Sequence, residues 1–464
     1  MLELKKLGKD IEILSPYINM TDGLVCDLSL GVKEVWIDLY DIEYAVVNDT
    51  LIMKETADDY KDVFYYPIGK DVNGALKLIE EYAKENFIPL KIGYVDESLA
   101  KELCKKYKDC TCVYDREWSD YIYSAEKFKT YSGKKFSGQR NHVNKFKKSY
   151  PNFKIVEYTD NDRERIESFL NEYKSTTKAG SAYEEEEMRK VFILLDNMER
   201  LNQKGAFLEV DGKVIAFSIG EVVSKTLIVH VEKALKSYDG VYPVMASEFV
   251  KLFDDVDFVN REEDCGDLGL RTSKTQYQPI EIRHKCVVEA KTLFDKITPP
   301  VCLKTERLTI TDLKEKDKED YKRLYTDTEL NKYWGYDYRE DLGDKEPTAD
   351  WFFDFQNQLK RKKEEYSLAV YDKDEFVGEL VLHNFDFVGG IEMGFRFFED
   401  CQGKGYATES ASKLKEYVFN HLKAEKLKSR CFKENIPSAK LQERLGLRKT
   451  HEDKTHYYFA IDRE

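Results

Sequence analysis

Several features are scarce in this 464-residue chain, and each absence argues against a class of protein or a kind of site. No apolar run approaches the roughly 18 residues of a membrane-spanning helix, so we expect a soluble chain without a membrane span. The seven histidines are scattered and provide neither a HExxH pair nor a nucleophile triad. Cys110 and Cys112 are too closely spaced for a zinc knuckle and have no second pair. We therefore expect no metal site.

Excess positive charge is also missing. The chain has 74 Lys and Arg against 88 Asp and Glu, a formal net charge of −14. General DNA or duplex binding depends on neutralising phosphates, so this balance argues against it. Nine cysteines, with no signal peptide recognised, predict a reducing cytoplasm.

The length predicts more than one domain, because 464 residues exceed what a single hydrophobic core organises. Adjacent prolines at 299 and 300 disfavour a continuing helix and are typical of linkers. We predict an N-terminal domain of residues 1–298 and a C-terminal domain of residues 301–464.

A glycine-rich turn is the most informative motif. Residues 402–407 read Gln-Gly-Lys-Gly-Tyr-Ala, between an extended run at 391–399 and an amphipathic segment at 407–421. Gly403 and Gly405 permit a tight turn in which backbone N–H groups converge, and the positive end of the helix dipole follows. The pattern predicts a phosphate cradle; a plain strand-to-helix connection is the alternative.

Gln402-x-x-Gly405-x-Ala407 matches the pyrophosphate signature of the GNAT acyltransferase superfamily, and residues 303–463 follow that family's order. Residues 305–312 resemble the first strand of Rim-type ribosomal-protein N-acetyltransferases, and residues 435–438 with 441–447 resemble the second conserved block. The resemblance implies acetyl-CoA, or another acyl-CoA, as cofactor. The residues it implies for cofactor binding are Gln402, Gly403, Lys404, Gly405, Tyr406, Ala407, Thr408 and Asn435.

The same resemblance suggests catalytic residues. Glu392 would accept the proton of the acceptor amine through water, and the alternative is a solvated strand residue. Ser438 or Tyr406 would protonate the departing thiolate. Ser438 can instead cap a helix that starts near residue 439, and Asn435 can close a turn. Residues 333–346, with Trp334 and Tyr336, would form the variable acceptor loop.

One departure from the family is the lack of positive charge at Cys401 and Gln402, where many relatives carry Arg. Binding through backbone N–H groups tolerates this change, and Lys404 restores a cation within the loop.

The first 295 residues resemble the soluble domain of lysyl-phosphatidylglycerol synthases. The resemblance rests on residues 131–135, 139–142 and 260–271, and on three strands around Asp211 and Gly212 followed by a helix at 243–253. Such enzymes use two tandem GNAT-like halves to move an aminoacyl group from transfer RNA. The fold class we expect is therefore α/β (α+β) with three GNAT-like units, namely this tandem pair and one acyl-CoA-type module at the C-terminus.

Charged residues of the first domain are candidates for binding an aminoacyl-RNA. Arg140, Lys145 and Lys147 belong to a basic run with interleaved aromatics, whose alternative is a solvated helix face. Asp264 and Arg271 could grip an amine and a phosphate, or could pair to stabilise a glycine-containing loop.

Three hypotheses follow from these patterns. The first is an acetyl-CoA-dependent N-acetyltransferase that acts on a protein N-terminus or a small-molecule amine. The second adds aminoacyl transfer from RNA through the N-terminal domain. The third is a sensor that binds acyl-CoA or an amino acid without turnover.

Overall fold

The computed structural model describes residues 2–57, 62–86, 88–107, 110–176, 182–343 and 345–463, and only the backbone of residues 182–187. Helices and strands are mixed throughout, which confirms the α/β (α+β) class. The chain divides into two compact units, one of Met1–Ile79 with Lys91–Glu289 and the other of Glu80–Leu90 with Ala290–Glu464. The predicted linker at Pro299 and Pro300 stays a prediction.

Unit 1 contains two sheets, and its strands alternate with helices as predicted. The first sheet has the order β1-β2-β3-β4-β6-β15-β7, with β5 paired to β3, and the second has the order β14-β8-β13-β12-β11-β10-β9. The strands are β1 (Lys5–Lys6), β2 (Asp41–Val47), β3 (Thr50–Thr56), β4 (Val63–Tyr65), β5 (Ile68–Gly69), β6 (Lys91–Val95), β7 (Cys110–Val113), β8 (Asp120–Ser124), β9 (Lys154–Glu157), β10 (Lys204–Val210), β11 (Lys213–Val223), β12 (Thr226–Ala234), β13 (Phe258–Asn260), β14 (Glu281–Arg283) and β15 (Cys286–Ala290).

The helices before residue 290 are α1 (Ser15–Ile18), α2 (Leu30–Trp36), α3 (Val72–Glu85), α4 (Glu97–Lys106), α5 (Ala125–Thr130), α6 (Ser137–Ser149), α7 (Arg163–Thr176), α8 (Ala182–Asp196), α9 (Val241–Lys251) and α10 (Leu268–Gln276). One core of unit 1 joins α2, α7 and α8 to both sheets, through residues such as Leu51, Leu170 and Phe217. Its burial removes apolar surface from water and holds the two sheets together.

The hairpin predicted around Asp211 and Gly212 is confirmed. β10 and β11 pair antiparallel with Val210 opposite Lys213, and both turn residues have positive φ, 50° and 84°. Such angles are favoured by Asp and Gly in tight hairpin turns, which is why the sequence located this element.

Unit 2 has one sheet in the order β16-β17-β18-β19-β20-β21-β23-β22. Its strands are β16 (Cys302–Lys304), β17 (Leu308–Asp312), β18 (Glu365–Asp372), β19 (Glu375–His383), β20 (Gly390–Phe397), β21 (Lys426–Phe432), β22 (Arg448–Glu452) and β23 (His456–Asp462). Its helices are α11 (Lys318–Thr326), α12 (Thr328–Asn331), α13 (Arg339–Leu342), α14 (Ala349–Arg361), α15 (Tyr406–Asn420) and α16 (Ile436–Arg444). A buried core including Leu380, Ile391, Leu414 and Leu427 packs helices against the sheet.

One expectation for unit 2 is corrected. The strand expected across residues 305–312 begins only at Leu308. The residues before it form a tight turn between β16 and β17, in which the Thr305 N–H donates to the Leu308 carbonyl. The helix expected at 407–421 is confirmed one residue earlier, as α15.

In the described part of the chain, no helix combines the length and apolar composition needed to cross a membrane. Location in the cytoplasm stays a prediction, and so does the count of three GNAT-like units.

Candidate functional site

The loop before α15 has the backbone geometry that its glycines predicted. Gly403 and Gly405 have φ of 73° and 84°, in the left-handed region that residues with a Cβ rarely adopt. A Cβ at Gly403 would meet no atom within 4 Å, so the loop leaves open space there, whereas at Gly405 it would lie 3.4 Å from Arg307 Nη2. A ligand can therefore approach the main chain closely at Gly403, with the Arg307 guanidinium beside Gly405.

Gly405 is the residue immediately before the first turn of α15. The earliest helical hydrogen bond runs from Glu409 N–H to Gly405 O at 3.0 Å, so the N–H groups of Tyr406, Ala407 and Thr408 precede the hydrogen-bonded ladder. Helix N-termini of this kind stabilise phosphate through oriented N–H groups and the helix dipole. These residues fit the diphosphate of a CoA ester.

Arg307 lies in the turn immediately before β17 and contacts the loop. The sequence analysis did not identify this residue. Its guanidinium donates to Glu409 Oε2 at 2.8 and 2.6 Å and to the Lys404 carbonyl at 3.1 Å. Arg307 is about half exposed and brings a cation beside a loop whose first residues carry none. A long-range contact of this kind leaves no local pattern in sequence.

Two further loop residues have defined partners. Gln402 Nε2 donates to Phe397 O at 3.1 Å, which fastens the loop to the end of β20. The Tyr406 hydroxyl donates to Asp372, and this bond together with partial burial raises the pKa of Tyr406. A raised pKa weakens Tyr406 as a proton source, and its role as thiolate acid stays a prediction.

β20 and β21 are paired over only part of their length. Parallel pairs are formed by Gly390, Ile391 and Glu392 with residues 426–428, although both strands continue to Phe397 and Phe432. Just past the last pair, the Ser429 hydroxyl donates to Met393 O at 2.8 Å. The backbone of β20 beyond Glu392 thus has a side that β21 does not use.

Glu392 lies at this point of divergence and is buried, with 5% of its surface exposed. Asn384 Nδ2 donates to Glu392 Oε2 at 2.8 Å, and Arg430 Nε is 3.4 Å from Oε1. The alternative of a solvated strand residue is therefore wrong for the side chain's environment. Its role as base stays a prediction.

His383 stands directly opposite Glu392 in the antiparallel β19–β20 pair, so the two side chains share a face. Burial lowers the pKa of His383, and the nearby Glu392 offsets only part of that effect. A neutral imidazole is a competent proton acceptor at neutral pH. Sequence reasoning missed His383 because it depends on the register between strands.

One of the two residues predicted after β21 has a different structural role from the one expected. Asn435, not Ser438, caps the helix, because Asn435 Oδ1 accepts the Ser438 N–H at 3.2 Å and α16 begins at Ile436. Pro437 fits the first turn, where no N–H is needed. Ser438 neighbours the thiol of Cys431 on β21, and its role as thiolate acid stays a prediction.

The basic candidates of unit 1 have protein partners. Lys145 pairs with Asp239, Lys147 lies 3.3 Å from Glu248, and Arg140 donates to the carbonyl of Gly133 at 2.5 Å. The two lysine–carboxylate pairs reduce the uncompensated positive charge available to a polyanion, whereas a neutral carbonyl does not compensate the charge of Arg140. An RNA contact here stays a prediction.

Asp264 and Arg271 are brought together as a pair. Asp264 is fully buried and accepts from Arg271 at 2.9 and 2.8 Å and from the Tyr121 hydroxyl at 2.7 Å. Burial opposes ionisation, but hydrogen bonds from Arg271, Tyr121 and the Gly266 N–H hold the pKa of Asp264 well below its usual value. This geometry supports the loop-stabilising alternative.

A second charged cluster in unit 1 escaped the sequence analysis. Lys285 Nζ lies 2.5 Å from Asp27 Oδ2, 3.7 Å from Cys26 Sγ and 3.9 Å from Asp120 Oδ1, and it also pairs with Glu263. The Cys26 thiol and the two Asp carboxylates lie within 4.8 Å of one another, a spacing compatible with a metal ion. In this structure Lys285 supplies the positive charge beside the carboxylates. The expected lack of a metal site stays a prediction.

The Asp120→Asn variant tests this cluster. Burial raises the pKa of Asp120 from 3.8 to about 7, despite the opposing effect of Lys285. The folded state therefore holds a proton that the unfolded chain has lost, and stability falls as pH rises from about 4 to 7.

Between pH 5 and 8, we expect the free energy of unfolding of wild type to fall by about 1 to 3 kcal/mol relative to that of Asp120→Asn. Urea denaturation at each pH measures this change. Asp267→Asn, at an exposed helix cap, is the control. If the difference in unfolding free energy between wild type and Asp120→Asn does not change with pH, the raised pKa of Asp120 is contradicted.

Comparison with known proteins identifies two regions of the chain. Residues 24–288 match the family described as phosphatidylglycerol lysyltransferase, C-terminal, and residues 307–448 match the acetyltransferase (GNAT) domain. The uncharacterized N-acetyltransferase YnaD of Bacillus subtilis (strain 168) is 30% identical over 108 residues, covering 21% of this chain and 64% of YnaD. The uncharacterized N-acetyltransferase p20 of Bacillus licheniformis is 28% identical over 148 residues, covering 32% of this chain and 82% of p20.

A crystal structure of a conserved protein of unknown function from Bacteroides thetaiotaomicron VPI-5482 is 30% identical, with a TM-score of 0.57, and covers 63% of this chain and all of that one. The chain spans less than two thirds of YnaD. Both resemblances seen in the sequence are confirmed. Because the first family match covers more than half of its length, the chain belongs to the phosphatidylglycerol lysyltransferase C-terminal family, and an acetyltransferase (GNAT) domain follows that region.

Proposed function

We propose that unit 2 is an acetyl-CoA-dependent N-acetyltransferase that acts on the amine of a protein N-terminus or a small molecule. The observation that carries this proposal is the loop with two left-handed glycines at the N-terminus of α15, next to the divergence of β20 from β21. Residues 403–408 would hold the diphosphate, and the unpaired side of β20 would hold the amide-containing arm. Acetyl-CoA would supply the acyl thioester.

In this proposal, the protein's own groups position the amine and move its proton. Neutral His383, beside Glu392, takes the proton either directly or through water. Asn384 and Arg430 orient the Glu392 carboxylate. Isothermal calorimetry of the full chain with acetyl-CoA tests the cofactor assignment, and no detectable binding would overturn it.

Substitution of the two proton-handling residues should separate chemistry from binding. For His383→Asn and Glu392→Gln we expect kcat to fall about 100-fold, with the dissociation constant for acetyl-CoA unchanged, since general base catalysis typically contributes 10²–10⁴-fold. Burial places the pKa of His383 below 6.5, so wild-type kcat/KM should decline only in acid.

Steady-state kinetics across pH provides the check. The acid limb should disappear in His383→Asn, and His421→Asn, at the exposed end of α15, should behave as wild type. Retention of the wild-type limb in His383→Asn would remove His383 as the base.

A second candidate function is aminoacyl transfer in unit 1, which the buried cluster around Lys285 favours. Ionisable groups concentrated inside a protein are typical of ligand sites as well as of structural networks. Filter retention of charged transfer RNA, lost when Arg140, Lys145 and Lys147 are neutralised, would support this function. Tight acetyl-CoA binding without acetylation of any amine would instead favour a sensor.

A further inference from the structure

Two neighbouring strands of unit 1 each carry a cysteine near one end. β7 lies beside β15 at the end of the first sheet. Just beyond the end of β7, the Tyr114 ring stacks on that of His284, which precedes β15, with ring centroids 4.0 Å apart. Nearer the start of β7, Thr111 Oγ1 donates to Glu289 O at 3.5 Å. Because later residues of β7 meet earlier residues of β15, the two strands run antiparallel.

This register places Cys112 beside Cys286. Cys112 is two residues before Tyr114, and Cys286 is two residues after His284, so the cysteines form the next cross-strand pair on the same face. Directly opposed residues of antiparallel strands have Cα atoms about 4.5 to 5.5 Å apart. A disulfide spans Cα separations of about 4.4 to 6.8 Å. The two thiols, both reduced in this structure, can therefore be joined without a large movement of the backbone.

The two thiols differ in their access to solvent. Cys112 is exposed on β7, the last strand of its sheet, whereas only 1% of the Cys286 surface is exposed. Burial, and then the neighbouring Cys112, raises the pKa of Cys286 to about 12. Cys286 is thus sheltered from reagents in solution, and an oxidant reaches Cys112 first. An exposed thiol beside a second, protected thiol is the arrangement of a two-cysteine oxidation site.

We propose that Cys112 and Cys286 form a reversible oxidation site, at which a peroxide converts the two thiols into a disulfide between β7 and β15. Hydrogen peroxide transfers one oxygen to the Cys112 thiol, which gives a sulfenic acid and one water. The Cys286 sulfur then attacks the Cys112 sulfur, and the sulfur–oxygen bond breaks. The hydroxyl leaves with the Cys286 proton as a second water. The two thiols together lose two electrons, and these reduce the oxygen–oxygen bond of the peroxide.

The disulfide constrains a large part of unit 1. The strands of the second sheet, β8 to β14, all lie between Cys112 and Cys286 in the chain. The bond closes this segment into a loop and removes conformational freedom from the unfolded chain. It also fastens the start of β15 directly after Lys285, whose ammonium pairs with Asp27 and Glu263 in the buried cluster. Oxidation therefore makes unit 1 harder to unfold, independently of any acyl transfer by unit 2.

Peptide mass spectrometry of the full chain tests this site. The protein is treated with hydrogen peroxide, remaining thiols are alkylated, and the digest is compared before and after reduction by dithiothreitol. We expect a cross-linked pair of peptides that contain Cys112 and Cys286, two hydrogens lighter than the separate peptides together, which dithiothreitol separates. Recovery of Cys112 as a sulfinic or sulfonic acid, in a bond to a different cysteine, or as an alkylated thiol would overturn the proposal.

Urea denaturation provides a second readout. After peroxide treatment, the unfolding midpoint of wild type should rise by at least about 0.5 M and should return with dithiothreitol. Cys112→Ser, at an exposed position, should abolish the rise, and so should Cys286→Ala. Cys302→Ser is the matched control, because it removes an exposed thiol from β16, the edge strand of the unit 2 sheet, and should respond as wild type. A rise that persists in Cys112→Ser would contradict the assignment, even if Cys286→Ala does not fold.

Discussion

Replacement of Gly405 by Glu should reduce the affinity for acetyl-CoA at least 100-fold. Gly405 has φ of 84°, and its position immediately precedes the N–H groups of Tyr406, Ala407 and Thr408. A Glu side chain there would place a carboxylate where the diphosphate is expected, so repulsion and bulk act together. The Arg307 guanidinium, 3.4 Å from the new Cβ, would also attract that carboxylate into the loop.

Gly212→Glu is the matched control for this experiment. Gly212 has the same φ of 84° and likewise stands in a tight turn, but that turn joins β10 and β11 in unit 1. The two variants therefore share the backbone cost of a left-handed residue with a Cβ. Calorimetry should show loss of binding only in Gly405→Glu, and equal affinity in the two variants would refute the cradle.

Asp264→Ala should destabilise unit 1 by about 3 kcal/mol, the lower end of what breaking a buried ion pair costs. The buried carboxylate is bound by Arg271, Arg116 and Tyr121, and the two guanidinium groups lose their partner in the variant. Both arginine side chains are about one third exposed, so water compensates them in part. Urea denaturation at pH 7 measures the change.

The pH dependence of this effect has a defined sign. Because the pKa of Asp264 is held below its unfolded value of 3.8, its stabilisation is present above that value and is lost only in strong acid. The control is Asp267→Ala, which removes the exposed cap that accepts the Leu270 N–H at 2.6 Å and should cost about 1 kcal/mol. A cost for Asp264→Ala no greater than for this control would argue against the paired arrangement.

Local patterns explain which parts of unit 2 were predictable. Gly403 and Gly405 were identifiable because positive φ restricts the choice of residue. A glycine at such a position is therefore a local signal of the backbone conformation. The strand before the loop and helix α15 after it followed from hydrophobic periodicity. The cap of α16 was misplaced, because Asn435 and Ser438 are both good capping residues and only the backbone distinguishes them.

Contacts between distant segments explain what was not predictable. His383 meets Glu392 through strand register, which a single sequence does not specify. Arg307 reaches Glu409 across more than 100 residues, and Lys285 reaches Cys26 across 259. By contrast Asp264 and Arg271 are seven residues apart, and the sequence alone raised their pairing as one of two alternatives.

The partial pairing of β20 leaves an edge inside a sheet. Exposed strand edges attract other chains, but this one faces β21 across a gap instead of facing bulk solvent. A ligand with amide groups can add there as a short extra strand, recognised by main-chain atoms alone. Recognition of that kind does not depend on which side chains the strand carries, so under the proposed function the side chains of residues 393–397 would be free to contact the acceptor while the main chain contacts the cofactor.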